Sequence, residues 1–471
     1  MTEVNFSQVL KEKFGFSQFR EGQLEILESL SKQQDTLAIL PTGSGKSLIY
    51  QMYGFTSNQR VLIVTPLLSL IQDQIGRLQL LGEKKVTELS SRQTLPEQER
   101  VLNNLQKFQF IFTSPETLQK DNVRQALKTV GIGLLVIDEA HCIVQWGKSF
   151  RPDYLKLGEV RKYLGKPTTL MLTATASKKT RAGILKYMNL DSGNVNEFIT
   201  SVDRPNIYLG FKIFDPSESK LDYLLELLPT LPSGGIIYFS SRKAANQVSD
   251  LISNQLGLRV APYHAGMSNY ERHQIQSQFA NNRLDLICAT SAFGMGIDKD
   301  NIRYVVHFHM PGDIESYVQE IGRAGRDGQP SAAIMLYQLG DEKVPSLLNN
   351  FSIPSEEMID QYFEGNNQGS SDRNLVQFYQ QNGLKADQIK NLFQQQHLQK
   401  KDELAEMLHL VNEKGCHRQY LLQHFDQEFN QHDDNCCGGM EHLPTFPKNE
   451  NADSKVFKMI DWQEKINSLF N

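Results

Sequence analysis

Nine short apolar runs punctuate the first 340 residues, each closed by turn residues and followed by a helical pattern. Five come first: TLAIL (36–40), VLIV (61–64), FIF (110–112), LLVI (134–137) and TLML (169–172). Four follow: GIIYF (235–239), LICA (286–289), YVVHF (304–308) and AAIMLY (332–337). Runs this short with no polar face predict strands buried on both sides, and their alternation with helices predicts parallel α/β sheets. The grouping predicts two such sheets in tandem. Between them, DSGNVNEFITSVDRPNIY is polar, rich in turn residues and contains Pro205, which predicts a linker near 191–206. Beyond Leu339 the pattern turns helical, interrupted by EGNNQGSSDRN (364–374) and a glutamine-rich stretch between Gln377 and Gln399. The expected organisation is an α/β unit over 1–205, a second over 206–340, a small mostly helical region over 341–440 and a tail over 441–471. No repeat of 20 to 50 residues is visible, although the two α/β units can share a fold without sharing sequence.

Composition narrows the class without naming a chemistry. At about 150 residues per domain, 471 residues correspond to roughly three domains. With 39% hydrophobic and 22% charged residues, the chain is globular rather than fibrous or disordered. A formal net charge of -5 gives no sign of a nucleic-acid partner. Five cysteines in so long a chain are not a disulfide framework. The odd count, the charged amphipathic start MTEVNFSQVLKEKFGF and the lack of an 18-residue apolar run predict a soluble cytoplasmic protein with no membrane partner.

The first chemistry lies after TLAIL. LPTGSGKS (40–47) sits between an apolar strand and the helical pattern LIYQMYGF, where backbone N–H groups and a helix dipole face an anion. Thr42, Gly43, Ser44 and Gly45 form the turn, Lys46 reaches the β- and γ-phosphates, and the Ser47 hydroxyl serves Mg²⁺. The strict eight-residue pattern asks for glycine at position 40, where Leu40 stands, so strand and helix context carries the assignment. About 90 residues on, LLVI ends in Asp138 and Glu139. A carboxylate at the tip of a buried strand beside a phosphate loop suits nucleotide-bound Mg²⁺, and Glu139 is placed to deprotonate water.

With DEAH (138–141), TATA (173–176) and QEIGRAGRDG (319–328), these residues resemble motifs of superfamily 2 helicases. FGFSQFREGQ (14–23), AHCIVQWGKSFRPDY (140–154), YFSSRK (238–243), YHAGM (263–267) and ATSAFGMGIDK (289–299) narrow the resemblance to the RecQ family of DNA helicases. The resemblance implies two tandem RecA-like domains, ATP and Mg²⁺, and 3′ to 5′ translocation on single-stranded DNA with unwinding of duplex, in repair or recombination. It implies that Arg20 packs along adenine and Gln23 reads its Hoogsteen edge, and that Gln319 belongs to the nucleotide site. It implies an aromatic loop that couples DNA to ATP hydrolysis through His141, Gln145, Trp146, Phe150, Arg151 and Tyr154; exposed rings there can stack on unpaired bases. Arg323 and Arg326, three apart and on one face if helical, are expected to reach across the cleft to the phosphates. Single-stranded and partially duplex DNA are the implied partners, and a monomer is the expected state. Cys142 and Cys288, inside matched segments beside apolar strands, are expected to be packing residues.

The resemblance fades beyond residue 340. KKDELAEMLHLVNEKGCHR (400–418) is similar to the helix pair leading to the family's first zinc cysteine, Cys416 here. The family's next three cysteines meet QHDDNCCGGM (431–440), where ungapped counting gives Asp433, Cys436 and Gly439, and one insertion gives Asp434, Cys437 and Met440. An irregular Zn²⁺ site of Cys416, Cys436 or Cys437 and a residue such as His432 stays open beside a degenerate site that packs without metal. About 30 residues follow Met440, too few for the family's winged helix, so unwinding strength is open. LVQFYQQNGLKADQIKNLFQQQ (375–396) predicts two helices around a turn, either a duplex-binding unit or a packed hairpin. Two other functions stay open at this point: a nucleotide-gated DNA-binding scaffold, and a superfamily 2 translocase acting on RNA or duplex DNA.

Overall fold

The computed structural model describes residues 6–446 except 149, 295–298, 352, 366–371 and 430–435. The expected linker-like break at 364–374 and the candidate ligand His432 therefore lie wholly or partly outside the described residues, as does most of the tail. Strands β1 (Thr36–Ile39), β2 (Val61–Val64), β3 (Val86–Leu89), β4 (Phe110–Thr113), β5 (Leu134–Ile137), β6 (Thr168–Thr173) and β7 (Asn196–Ile199) form one parallel sheet ordered β3-β4-β2-β5-β6-β1-β7. Strands β8 (Ile207–Phe214), β9 (Gly235–Tyr238), β10 (Val260–Tyr263), β11 (Leu286–Ala289), β12 (Tyr304–His307), β13 (Ser331–Gln338) and β14 (Cys437–Gly438) form a second parallel sheet ordered β10-β11-β9-β12-β13-β8-β14. These are two tandem RecA-like lobes.

Period-two alternation divides each apolar run between two cores. In β2, Leu62 and Val64 enter one core while Val61 and Ile63 enter the other; β5 divides Leu135 and Ile137 from Leu134 and Val136 in the same way. Every nine-run strand expected from sequence is present. Five strands lie outside the apolar pattern: β3, β7, β10 and β14 are the outermost strands of the two sheets, and β8, inside the second, has its run IYLGFKIF interrupted by Gly210 and Lys212. An edge strand needs only one apolar face, and β7, NEFI, leaves Glu197 and Ile199 exposed. It falls inside the expected linker, yet pairs with β1 through Ile39↔Ile199.

Five helices frame the site: α1 (Gln23–Ser31), α2 (Lys46–Ser57), α3 (Cys142–Gln145), the ten-residue α4 (Lys178–Tyr187) and α5 (Ile314–Ile321). Helix α4 begins at an N-cap, Ser177, whose hydroxyl accepts from Thr180 N.

The helical region is two structures. Helices α6 (Glu356–Phe363), α7 (Asp372–Gln381) and the N-terminal part of α8 (Ala386–Val411) enclose a small core of Ile359, Val376, Tyr379, Ile389 and Phe393. The expected hairpin around NGLKAD is present as α7 and α8, and its apolar side closes this core. The far end of α8 and helix α9 (His417–His424) instead join the second lobe's core through Leu404, Met407, Leu410 and Leu421. Arg418 fastens that junction, donating to the carbonyls of Arg204 and Cys436 at 3.1 Å and pairing with Asp203. Among the described residues no helix is long and apolar enough to cross a membrane.

Candidate active site

The phosphate loop leaves β1 and enters α2 with Gly43 and Gly45 at φ of +84° and +78°, conformations that L side chains rarely adopt. A Cβ at Gly45 would stand 2.8 Å from the Gln23 amide. Buried at the start of α1, Gln23 donates from Nε2 to Ser44 O at 2.7 Å and accepts the Arg20 N–H on Oε1 at 3.0 Å. Arg20 itself donates to Gly43 O. In this structure the two residues expected to read adenine brace the phosphate loop. Ser44 Oγ is buried without a hydrogen-bond partner, an orphan that a phosphate oxygen in this cradle would satisfy.

Parallel pairing of Ile39 with Thr173 and of Val64 with Ile137 brings the tips of β1, β2, β5 and β6 to one end of the sheet. Asp138 and Glu139 therefore face Lys46. Burial pushes Asp138 up to about 7, Glu139 adds to the rise, and Lys46 opposes it. Burial in turn pushes Lys46 down against the pull of Glu139 and Asp138. The Lys46 ammonium donates to Leu40 O at 3.2 Å. Glu139 holds a left-handed backbone, φ +51°, with its N–H on Asp138 Oδ1 at 3.1 Å; such strain clusters at functional sites. Ser47 and Asp138 supply the hard oxygen donors that Mg²⁺ prefers. Arg20, Gln23, Thr42, Gly43, Gly45, Lys46, Ser47, Asp138, Glu139, Asp300 and Arg326 line one cleft of about 620 Å³.

The second lobe closes this cleft. Thr42 Oγ1 donates to Gly322 O at 2.6 Å, and a Cβ at Gly43 would lie 3.4 Å from Arg326 Cγ. Arg323 goes elsewhere: it is buried and donates to Gly294 O within its own lobe. The expectation that both arginines share a helical face fails because α5 ends at Ile321 and Gly325 turns left-handed, φ +54°. Gln319 stands beside that cleft rather than in its lining, sharing a smaller cavity with Pro41 and Thr42 of the phosphate loop. Its amide donates to Thr175 Oγ1 at 3.0 Å and to His141 Nε2 at 3.2 Å. His141 Nδ1 stands 2.8 Å from Thr173 Oγ1, which donates to Thr175 O at 3.0 Å. This chain requires a neutral His141 protonated on Nδ1, and burial does push its imidazole down.

Of the six residues expected to grip DNA, Phe150 is 70% exposed and Trp146 half-buried, their rings edge to face at 5.7 Å. The other four are engaged within the protein. Tyr154 is fully buried core, and His141 belongs to the network above. Arg151 forks onto Glu116 with contacts of 2.5 and 2.6 Å, and Gln145 donates to Glu315 Oε2 at 2.7 Å. Sequence reasoning missed Glu116, Asp300 and Glu315 because nothing in their local context sets them apart; TATA at least drew attention to Thr173 and Thr175. Cys142 and Cys288 are buried packing residues as expected.

Cys416, Cys436 and Cys437 converge, with Sγ separations of 3.5, 3.6 and 3.7 Å. A tetrahedral zinc with Zn–S of about 2.3 Å has ligand edges of about 3.8 Å, so these thiols match one face of such a site. Hydrogen bonding from Cys436 draws Cys437 down to about 5, while the other two thiols are pushed up.

A phosphate loop, a paired carboxylate motif and an arginine from a second RecA-like lobe define a two-lobed nucleotide-driven helicase. The DEAD/DEAH box helicase family matches residues 20–182 and the helicase conserved C-terminal domain matches residues 219–328. The chain is 38% identical to the probable ATP-dependent DNA helicase RecS of Bacillus subtilis, over 99% of this chain and 98% of that one. It is 39% identical to the ATP-dependent DNA helicase RecQ of Haemophilus influenzae over 71% of this chain, spanning 53% of that relative. The DUF1998 helicase MrfA, solved with DNA and AMPPNP, shares the fold at a TM-score of 0.61 and 20% identity, over 75% of this chain and 54% of that one. The chain belongs to the RecQ-like superfamily 2 helicases and is an ATP-dependent DNA helicase.

Proposed function

We propose that the chain uses ATP hydrolysis to move 3′ to 5′ along single-stranded DNA and to separate duplex ahead of it, acting as a monomer in the cytoplasm during repair or recombination. The observation that carries this reading is the run of contacts from nucleotide cleft to aromatic loop. Glu139 Oε2 stands 3.4 Å from His141 Nδ1, Gln319 of the second lobe bonds His141 and Thr175, and the Gln145 N–H donates to His141 O at 3.0 Å just before Trp146, whose ring meets Phe150. Lys46 and the phosphate-loop N–H groups hold the triphosphate, while Ser47 and Asp138 hold Mg²⁺, which supplies charge neutralisation on the phosphates. Glu139 takes the proton of the attacking water, and Arg326 stabilises charge on the transferring phosphoryl group. Phe150 and Trp146 offer faces to unpaired bases, a grip that tolerates any sequence and needs no basic surface overall.

Strand displacement on partial duplexes carrying a 3′ or a 5′ tail, with and without ATP, tests the reading. Product from the 3′-tailed substrate only, and only with ATP, is expected; preference for the 5′ tail overturns the polarity, and no product on either favours a scaffold. The thiol face formed by Cys416, Cys436 and Cys437 supports a structural zinc. Elemental analysis of the purified protein is expected to give about one zinc per chain, lost in Cys436→Ser.

A further inference from the structure

Helix α5 carries a second residue that reaches across the lobes one turn before Gln319. Glu315 is 7% exposed, and among the described residues its carboxylate accepts its hydrogen bonds from the first lobe. Its Oε2 accepts from Gln145 Nε2 at 2.7 Å. Its Oε1 accepts from Ser177 N at 3.1 Å and Thr180 Oγ1 at 2.8 Å. These donors belong to two distinct pieces of machinery. Gln145 is the last residue of α3 and precedes Trp146, while Ser177 follows TATA and caps α4. A carboxylate at that helix N-terminus also meets the favourable end of the dipole. Glu315 and Gln319, four apart, share a face of α5, so one ridge holds both the histidine network and the root of the aromatic loop.

We propose that Glu315 is the positioning residue through which lobe closure sets the aromatic loop for DNA, a role that rests on the helicase reading above. The bond to Gln145 fixes the end of α3 and hence the direction in which the chain presents Trp146 and Phe150. The contact exists only while the lobes are together, so parting them frees Gln145 and leaves a buried carboxylate to be hydrated. Loop geometry and lobe closure are thereby one equilibrium rather than two.

Steady-state ATPase titrated with single-stranded oligothymidine tests this on the full chain. Glu315→Ala is expected to lower DNA-stimulated kcat about tenfold and to raise half-saturating DNA about fivefold, with the KM for ATP changing less than about twofold. Glu315→Gln is expected to recover most of both, because its Oε1 still accepts from Ser177 and Thr180 and the Gln145 amide can turn over to accept. Gln145→Ala is expected to reproduce the loss alone and to add nothing to Glu315→Ala; it reads the same link if Glu315→Ala does not fold. Wild-type stimulation in Glu315→Ala or Gln145→Ala, or losses that multiply in the double variant, overturns the proposal. Absence of DNA stimulation in the wild type instead contradicts the helicase reading itself.

Discussion

The two lobes have the same strand order: adding seven to each strand of β3-β4-β2-β5-β6-β1-β7 gives β10-β11-β9-β12-β13-β8-β14. Their chemistry differs at matching places. After β1 comes LPTGSGK, with Lys46 opening a helix; after β8 comes DPSESK, with Lys220 opening a helix. Lys46 faces two carboxylates at the tip of β5. At the tip of β12 the matching positions are Phe308 and His309, and Lys220 is held by Asp341 and Phe308 O, each at 2.5 Å. Burial and the neighbouring Lys220 push His309 down to about 4, so it stays neutral there. One lysine is thus kept for a ligand and the other is part of the frame. A shared fold sets where a site can stand, and a few loop residues decide whether one is there.

That contrast breaks most sharply under paired substitutions. Lys46→Ala is expected to reduce ATP turnover about 10³-fold or more while single-stranded DNA binding and melting temperature stay near wild type. Lys220→Ala is expected to do the reverse, lowering stability by about 3 kcal/mol in denaturant titration through the stranded Asp341, with little change in the KM for ATP. Equal loss of turnover in both would erase the distinction between the lobes.

Asp138 gives a pH-dependent version of the same test. Its folded value of about 7 stands above its ordinary 3.8, so its contribution to stability is full below about pH 4 and is lost as pH rises through 7. Asp138→Asn is expected to make the nucleotide-free protein more stable than wild type by about 2 kcal/mol at pH 8, with the gain vanishing near pH 4, while abolishing ATPase activity. Thermal melts across that range check it, and a pH-independent difference would contradict the account. The smallest expected effect is at the loop: Phe150→Ala should weaken oligothymidine binding about tenfold, measured by fluorescence anisotropy, and leave DNA-free ATP turnover unchanged.

What could be read along the chain was what is contiguous. The phosphate loop, the DEAH tip and nine of the ten central strands announce themselves within a few residues, because a buried strand and its loop are neighbours in sequence. Edge strands such as β7 were hidden because one exposed face leaves no apolar run. The aromatic segment was found as a segment, yet its members could not be sorted: Tyr154 and Phe150 are both aromatic, and only the packed first lobe makes one core and the other surface. Arg323 and Arg326 were separated by the end of α5 at Ile321. Glu315 and Glu116 became meaningful only through partners far away in sequence.

The central claim is that one nucleotide site is built by the first lobe and completed by Arg326 from the second. Single-turnover ATP hydrolysis with saturating single-stranded DNA tests it directly, comparing Arg326→Ala with Arg323→Ala. Arg326→Ala is expected to bind ATP within about tenfold of wild type and hydrolyse it about 10³-fold more slowly, whereas Arg323→Ala loses thermal stability first and turnover only through it. Hydrolysis by Arg326→Ala at the wild-type rate would contradict the claim.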